Sequence, residues 1–414
     1  MINVARRNLL GAGLVAASAT AIGQPARSFE TSTAEAPDED FWANIALQYD
    51  LDGRYTVLNG GGNNPLPRSV VEAQARYLRL AASQPRPFNY QLLAYRERHR
   101  TRLARLFGCD AEELALTRNT TEGLNTVAQG LSWRRGDEVL VSPFEDSYAL
   151  RAFQPIAERF GINLVKAEIP LAPSRDQVLN GFAEQMSART RLLVASHIVD
   201  SWGFVLPVQE LAKLAHDGGA QLLVDGALSF GHIPVNMREL GCDYYATSLH
   251  KWLNAPLGTG ALYVRQDRIA DLWPLYGVRN DKEDIRKYES IGTRDGAAVA
   301  AIGQAIDFYE HIGPERKADR LRALLAFLMT RLENVRGVEV IGEADESRRA
   351  GLARVVVDGW TGTDLTRTLR ERFGFYVFGN FPGPKDGVYV SPNVFNTTNH
   401  LTRFSEAINV LSNA

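Results

Sequence analysis

Asp225 closes an apolar run, Leu222-Leu223-Val224, and is followed by Gly226. A carboxylate at the end of a buried strand points into the crevice where α/β sheets take their ligands. Lys251 lies in Ser248-Leu249-His250-Lys251-Trp252, after a strand-like Tyr244-Tyr245-Ala246 and before Pro256-Leu257-Gly258-Thr259-Gly260. In so apolar a setting an amine loses proton affinity and becomes a nucleophile towards an aldehyde. Upstream, Arg118-Asn119-Thr120-Thr121-Glu122-Gly123-Leu124-Asn125 offers two hydroxyls and free backbone N–H groups at a helix start, which suits a phosphate. Ser248 can add a third hydroxyl. Singly, each element has a plain explanation: Asp225 as a turn residue, Thr120 as a helix cap with Glu122 nearby. Together, a nucleophilic lysine, an anion and a phosphate cradle specify pyridoxal 5'-phosphate (PLP). The carboxylate keeps the pyridine nitrogen protonated, and the charged ring then stabilises a carbanion.

Those residues need a scaffold that gathers strand ends. Residues 95–107 have helical periodicity. The runs 137–141, 191–195 and 221–225 have strand length and apolar character, a helix over 207–215 separates the last two, and 261–264 adds another strand. Short apolar runs between helical patterns predict βαβ units, hence an α/β fold with a buried, mainly parallel sheet. From about Ala298 the pattern turns helical and continues over 325–333, and a smaller α+β segment follows. The expected organisation is a large cofactor domain over 46–297 and a small C-terminal domain over 298–414 that packs over the site.

The formal net charge of -2 gives no reason to expect nucleic acid or an anionic membrane as partner. With 45% hydrophobic and 23% charged residues the composition is ordinary for a globular protein. No Zn-type Cys/His spacing, internal repeat or membrane-length apolar run after the N-terminus is present, and no metal is expected. The two cysteines, Cys109 and Cys242, are too few for a disulfide framework and read as small apolar core residues. At the N-terminus, Arg6-Arg7 precedes a weakly apolar stretch from Leu9 to Ile22 with small-residue cleavage patterns at Ala17-Ser18-Ala19 and Ala19-Thr20-Ala21. These features predict a twin-arginine signal peptide over 1–23 and a periplasmic location. Polar, Pro-containing sequence after it predicts a linker over 24–45.

With these elements in place, the chain resembles the class V aminotransferases, a family of fold-type I PLP enzymes. It is most similar to the isopenicillin-N epimerase-like branch, which includes twin-arginine-exported periplasmic enzymes that tailor the siderophore pyoverdine. The resemblance covers roughly 59–412. It is carried by Asn59-Gly60-Gly61-Gly62, 117–125, Ser196-His197, Pro207-Val208, Asp225-Gly226-Ala227, 248–252, Gly258-Thr259-Gly260, Ile291-Gly292-Thr293-Arg294, Ser391-Pro392 and Asn396-Thr397. It implies a seven-stranded, mainly parallel central sheet with helices on both faces and a smaller C-terminal α+β domain. It implies Lys251 as the Schiff-base lysine and Asp225 as the pyridine partner. Thr120, Thr121 and Ser248 would bind the phosphate, with His250 beside the cofactor. Thr293 would reach the phosphate of a neighbouring subunit, which implies a homodimer with shared active sites.

Four positions depart from the family pattern. Leu228 stands where His or Gln is usual near the ring oxygen. Asp200 stands near a usual Asn, no ring-stacking aromatic directly follows Glu145 (Asp146 intervenes before Tyr148), and Tyr389 stands where an arginine often holds the substrate's α-carboxylate. An arginine fork binds a carboxylate bidentately and with charge, whereas tyrosine offers one neutral hydrogen bond. Either another arginine substitutes, with Arg294 the candidate, or the substrate presents no free α-carboxylate, which is the favoured expectation. Asn59, Asp200, Arg294 and Tyr389 are then the substrate-side candidates. The expected reaction is transamination or related chemistry at the carbon bearing an amine, on a small molecule or peptide-like amine such as a siderophore precursor. The alternatives are a C–S lyase, an epimerase, or a non-catalytic PLP-fold binding protein. A desulfurase needs a mobile thiol late in the chain, and no cysteine follows Cys242.

Overall fold

The computed structural model describes residues 39–144, 147–200, 202–277, 281–379 and 385–413. The expected signal peptide over 1–23 lies outside the described residues. Strands occur in the order β1 (Thr56–Val57), β2 (Leu114–Thr117), β3 (Glu138–Val141), β4 (Asn163–Lys166), β5 (Thr190–Ser196), β6 (Gln221–Asp225), β7 (Tyr244–Ser248), β8 (Gly260–Val264), β9 (Val338–Ile341), β10 (Ala353–Val357), β11 (Phe375–Tyr376) and β12 (Val388–Val390). The α-helices among the described residues are α1 (Glu39–Ala46), α2 (Arg68–Ser83), α3 (Pro85–Phe107), α4 (Thr120–Gly130), α5 (Ser147–Phe160), α6 (Arg175–Ala183), α7 (Val208–Asp217), the single-turn α8 (Met237–Leu240), α9 (Gly296–Ile312), α10 (Pro314–Leu332), α11 (Gly362–Phe373) and α12 (Thr398–Ser412).

Seven strands form the central sheet in the order β2-β8-β7-β6-β5-β3-β4. Every neighbouring pair is parallel except those involving β8, which runs antiparallel to β7 and β2. Successive side chains of a strand face opposite sides. Leu193, Ala195, Leu222 and Val224 accordingly join Leu103, Phe107, Leu211 and Ala305 from α3, α7 and α9 in one core. Their neighbours Leu192, Val194 and Leu223 pack with Leu124, Val127, Phe153 and Ile156 from α4 and α5 in another. Both faces are covered, which explains why these strands read as continuous apolar runs rather than alternating ones.

β2 is an edge strand, and side chains take up the backbone groups that face away from β8. Arg100 Nη1 donates to the Leu114 carbonyl at 2.6 Å, Glu289 Oε1 accepts from the Leu116 N–H at 2.7 Å, and Arg294 Nη1 donates to the Leu116 carbonyl at 3.0 Å. Arg100 and Glu289 also pair with each other at 2.6 Å, the arginine side chain fully buried. Such cover blocks strand addition at the edge.

The C-terminal part holds an antiparallel sheet in the order β12-β10-β9, packed against α10 and α12. Two findings differ from the expected layout. Residues 39–45, the end of the expected linker, form α1 together with Ala46: Trp42 and Ile45 are buried and join Trp252, Leu321 and Phe395 in a core of their own. A two-residue apolar pair on one helical turn is too short a period to stand out in sequence. And β1 pairs in parallel with β11, so the chain's early segment is built into the C-terminal unit. No described helix is long and apolar enough to cross a membrane.

Candidate active site

The carboxyl ends of β5, β6 and β7 open into a cavity of about 560 Å³. Asp225 ends β6, flanked in register by Ser196 of β5 and Ala246 of β7. It is 8% exposed, and its Oδ1 accepts the Ala227 N–H at 2.9 Å. Beneath it the backbone N–H of His197 donates to the Asp225 carbonyl at 2.9 Å. The buried His197 ring meets the Tyr245 hydroxyl at 3.2 Å. Gly226 is required here: a Cβ would lie 2.1 Å from the Tyr245 ring.

Ser248 ends β7 and faces the start of α4. Its Oγ accepts the Thr120 N–H at 3.0 Å and lies 2.8 Å from Thr120 Oγ1. The helix cap is Asn119, whose Oδ1 accepts the Glu122 N–H at 2.9 Å. Thr120 and Thr121 are thereby released from capping and line the cavity together with Ser248. Hydroxyls at the positive end of a helix form an anion site.

Lys251 follows on the loop after β7 and lines the same cavity as Asp225, Asn59, Asp200, His250 and Tyr389. Asn64 Nδ2 donates to the Lys251 carbonyl at 3.0 Å. His250 Nδ1 faces the Thr259 carbonyl at 3.1 Å, which fixes the proton on Nδ1 because a carbonyl can only accept. Burial lowers the affinity of the ring for a second proton, so His250 is neutral at pH 7. Leu228 lines the cavity too, an apolar contact where the family often has a donor.

Arg294 does not line this cavity: its Nη1 donates to the Leu116 carbonyl at the β2 edge, and its Nε and Nη2 are buried without a hydrogen-bond partner among the described residues. That corrects its expected role as a substitute carboxylate clamp. Thr293 is exposed and also lies away from the cavity. Glu145 and Asp146 fall outside the described residues, as does the side chain of Tyr148.

Tyr389 faces the cavity from β12. Burial, with the nearby Asp200 charge, pushes its phenol well above the usual tyrosine range. Its hydroxyl lies against Gly61, where a Cβ would come within 1.9 Å of the oxygen and 2.8 Å of Cζ. Gly61→Ala is expected to cost about 1–3 kcal/mol by overpacking. The check is a urea denaturation midpoint, and Tyr389→Phe in the same chain should recover part of the loss by removing the oxygen.

No spacing or motif pointed to Arg354, the cross-strand partner of Tyr389. It is 2% exposed, donates from Nη1 to the Lys385 carbonyl at 2.7 Å and feels the Asp200 charge, but does not line the cavity. Asn63, Ile198 and Phe378 do line it and were equally hidden, since only the pairing of distant segments brings them together. Asn63 had a partial signal, directly after the Gly60-Gly61-Gly62 run. Both cysteines are free and neither lines the cavity. Burial pushes the Cys109 thiol up to about 12 and Cys242 further. Among the described residues no cluster of His, Cys, Asp and Glu could hold a metal ion.

The donor set suits PLP. One cavity collects a phosphate cradle at the α4 start, a carboxylate for a pyridinium and a lysine for an aldehyde. The sequence model of the family described as "Aminotransferase class-V" matches residues 56–388. The isopenicillin N epimerase of Amycolatopsis lactamdurans is 34% identical over 394 residues, covering 90% of this chain and 98% of that protein. A probable cysteine desulfurase of Halobacterium salinarum is 32% identical over 333 residues, covering 76% and 79%. Among solved structures, a C-DES variant with glycine covalently linked to its PLP cofactor superimposes with TM-score 0.80 at 23% identity, covering 88% of this chain and 98% of the other. The apo cysteine desulfurase of Thermococcus onnurineus gives 0.78 at 24% identity, covering 89% and 98%.

Proposed function

The chain belongs to the class-V aminotransferase family of PLP-dependent enzymes, and from that premise we propose that it transforms an amine whose carbon carries no free carboxylate. The substrate class is an amino group within a larger metabolite or peptide, such as a siderophore precursor, and the reaction is transamination or related chemistry at that carbon. One observation carries this reading: no arginine is among the described residues that line the cavity, and Tyr389 fills the clamp position against Gly61.

When bound, PLP supplies the electron sink for a carbanion. Thr120, Thr121 and Ser248 hold its phosphate at the α4 start. Asp225 keeps a proton on the ring nitrogen. Lys251 would carry the cofactor and would serve as the base that takes the proton from the substrate carbon and returns it. Neutral His250 adds no charge to the pocket. Asp200, Asn59 and Tyr389 face the substrate side with one anion and neutral donors, which disfavours a carboxylate there. Cys242 is buried and Cys109 half-buried, and neither lines the cavity, so no thiol is placed to form a persulfide and the desulfurase activity of some relatives is not proposed.

A second reading is epimerisation at the same carbon, favoured by the 34% identity to an isopenicillin N epimerase over 98% of that protein. The test is turnover of carboxylate-blocked and peptide-borne amines beside free L-amino acids, with and without a 2-oxo acid acceptor. A requirement for the acceptor supports transamination. Solvent-deuterium incorporation without an acceptor supports epimerisation. Turnover of free L-amino acids with ordinary efficiency overturns the substrate class.

We further propose a homodimer in the periplasm, exported by the twin-arginine route. The export rests on Arg6-Arg7 and the apolar stretch after it. The dimer is supported by Leu257, Trp273 and Tyr276, which stand 50–64% exposed, Tyr276 beside Arg118 of the α4 approach. A second copy would cover them. A single-chain mass in light scattering overturns the dimer.

A further inference from the structure

Lys317, on α10, is 1% exposed and has no role in the chemistry described above. Its Nζ donates to the carbonyl of Trp252, the residue after Lys251, and lies 3.5 Å from Asn254 Oδ1. It stands 5.5 Å from the Tyr309 ring centre. His232, kept neutral by burial and repelled by the Lys317 charge, packs with its ring centre 4.0 Å from that of Trp252, the planes tilted by 51°. Burial pushes the Lys317 ammonium down to about 7, with no carboxylate acting to raise it. A buried amine without an ion-pair partner is costly. A costly group in a packed interior points to a function that needs it.

The turn it grips is the one that presents Lys251. Asn254 has φ +60°, in the left-handed region that asparagine tolerates better than most residues, and its Nδ2 donates to the Pro65 carbonyl at 3.1 Å. Asn64 takes the Lys251 carbonyl from the other side and is itself held at 2.9 Å by Asn393. Two successive carbonyls, those of Lys251 and Trp252, are therefore fixed by side chains from outside the loop. One comes from the glycine-rich segment and the other from α10.

We propose that Lys317 is a positioning residue for Lys251: its hydrogen bonds to the Trp252 carbonyl and the Asn254 amide lock the turn from which the Lys251 side chain reaches the cavity. The assignment rests on Lys251 as the cofactor lysine. It ties the reactive lysine to α10, so the packing of the C-terminal part bears on how readily the cofactor is held.

The test uses the full chain, its Lys317→Met and its Lys317→Arg, stripped of cofactor and then given PLP. Borohydride adds hydride to the carbon–nitrogen double bond and leaves a stable secondary amine, so peptide mass spectrometry reads how fast Lys251 becomes labelled. Melting of the cofactor-free protein is followed in parallel. Lys317→Met should slow labelling about ten-fold or more, the scale of one hydrogen bond from a charged donor, while cofactor-free melting stays near wild type, because removing an unpaired buried charge offsets the orphaned carbonyl. Lys317→Arg should restore part of the labelling rate. Equal labelling in wild type and Lys317→Met overturns the assignment, as does a loss of labelling that only follows a matching loss of cofactor-free stability. Wild type that takes no label at Lys251 overturns the cofactor reading itself, a result distinct from either.

Discussion

Lys251→Ala is expected to leave a folded protein that no longer forms the borohydride-reducible visible band and turns substrate over at least about 10²–10⁴-fold more slowly, the share of proton transfer alone. The side chain faces a cavity and packs into no core cluster, so truncating it opens no void in the main cores. Its backbone neighbours stay anchored, the Lys251 carbonyl by Asn64 and the Trp252 carbonyl by Lys317. Asp225→Asn gives the informative contrast. It keeps the shape and the hydrogen bond to Ala227 but removes the charge that holds a proton on the ring nitrogen. That variant should still form the Lys251-linked band and lose turnover. Absorbance before and after borohydride separates the two. A Lys251→Ala protein that still shows a reducible visible band would remove this lysine from its role.

The largest effect on stability is expected at Glu289. Its carboxylate pairs with the fully buried Arg100 and also accepts the Leu116 N–H of the sheet's edge strand. Glu289→Ala removes the more buried of the two carboxylates that pair with Arg100, leaving only the half-exposed Glu97 at 3.1 Å, and strands the Leu116 N–H, a loss of about 3 kcal/mol. Replacing both residues, as Glu289→Leu with Arg100→Met, should recover much of it, because the remaining penalty is carried by fewer stranded charges. Urea denaturation of the two single variants and the double reads the coupling directly. Additive losses would mean that the pair is not a unit. The same edge explains why Arg294 was misplaced from sequence. Only the folded sheet shows that the Leu116 carbonyl, 178 residues away in sequence, accepts from its Nη1.

Much of the sheet was legible because parallel strands buried on both faces leave continuous apolar runs: β3, β5 and β6 fall within a residue or so of the expected spans. β8 was seen as a strand, but its antiparallel direction was not, since direction is set by neighbours and not by composition. α3 was expected from residue 95 and begins at Pro85. Its first turns are mostly exposed and carry little apolar period, whereas proline at a helix start is favourable. The cavity was legible where its members sit at strand ends or in short motifs: Asp225, Ser248, Lys251 and Thr120. Phe378, which lines it, and Arg354, which stands behind Tyr389 outside it, were not, because an antiparallel partner across a strand leaves no mark at fixed spacing. The role given to α1 as linker failed for a related reason. Trp42 and Ile45 gain meaning only against Trp252 and Phe395, far along the chain.

The wall of the cavity formed by Asn59 and Gly61 rests on β12: Gly61 N–H donates to Ser391 Oγ at 3.0 Å across a separation of 330 residues, and β1 beside it pairs with β11. During synthesis the central sheet can assemble from consecutive βαβ units as they emerge, but this wall has no partner until nearly the whole chain has been made. Closing so long a loop is slow relative to local contacts. Vectorial folding therefore proceeds through a partly built species with an open, one-sided cleft. The ribosome must release the C-terminal helix before the cleft can close, and PLP retention marks the end of maturation. A chain shortened by its last thirty or so residues should accumulate as that species, protease-sensitive at 50–64 and colourless, even though every residue at the sheet end of the cavity is present.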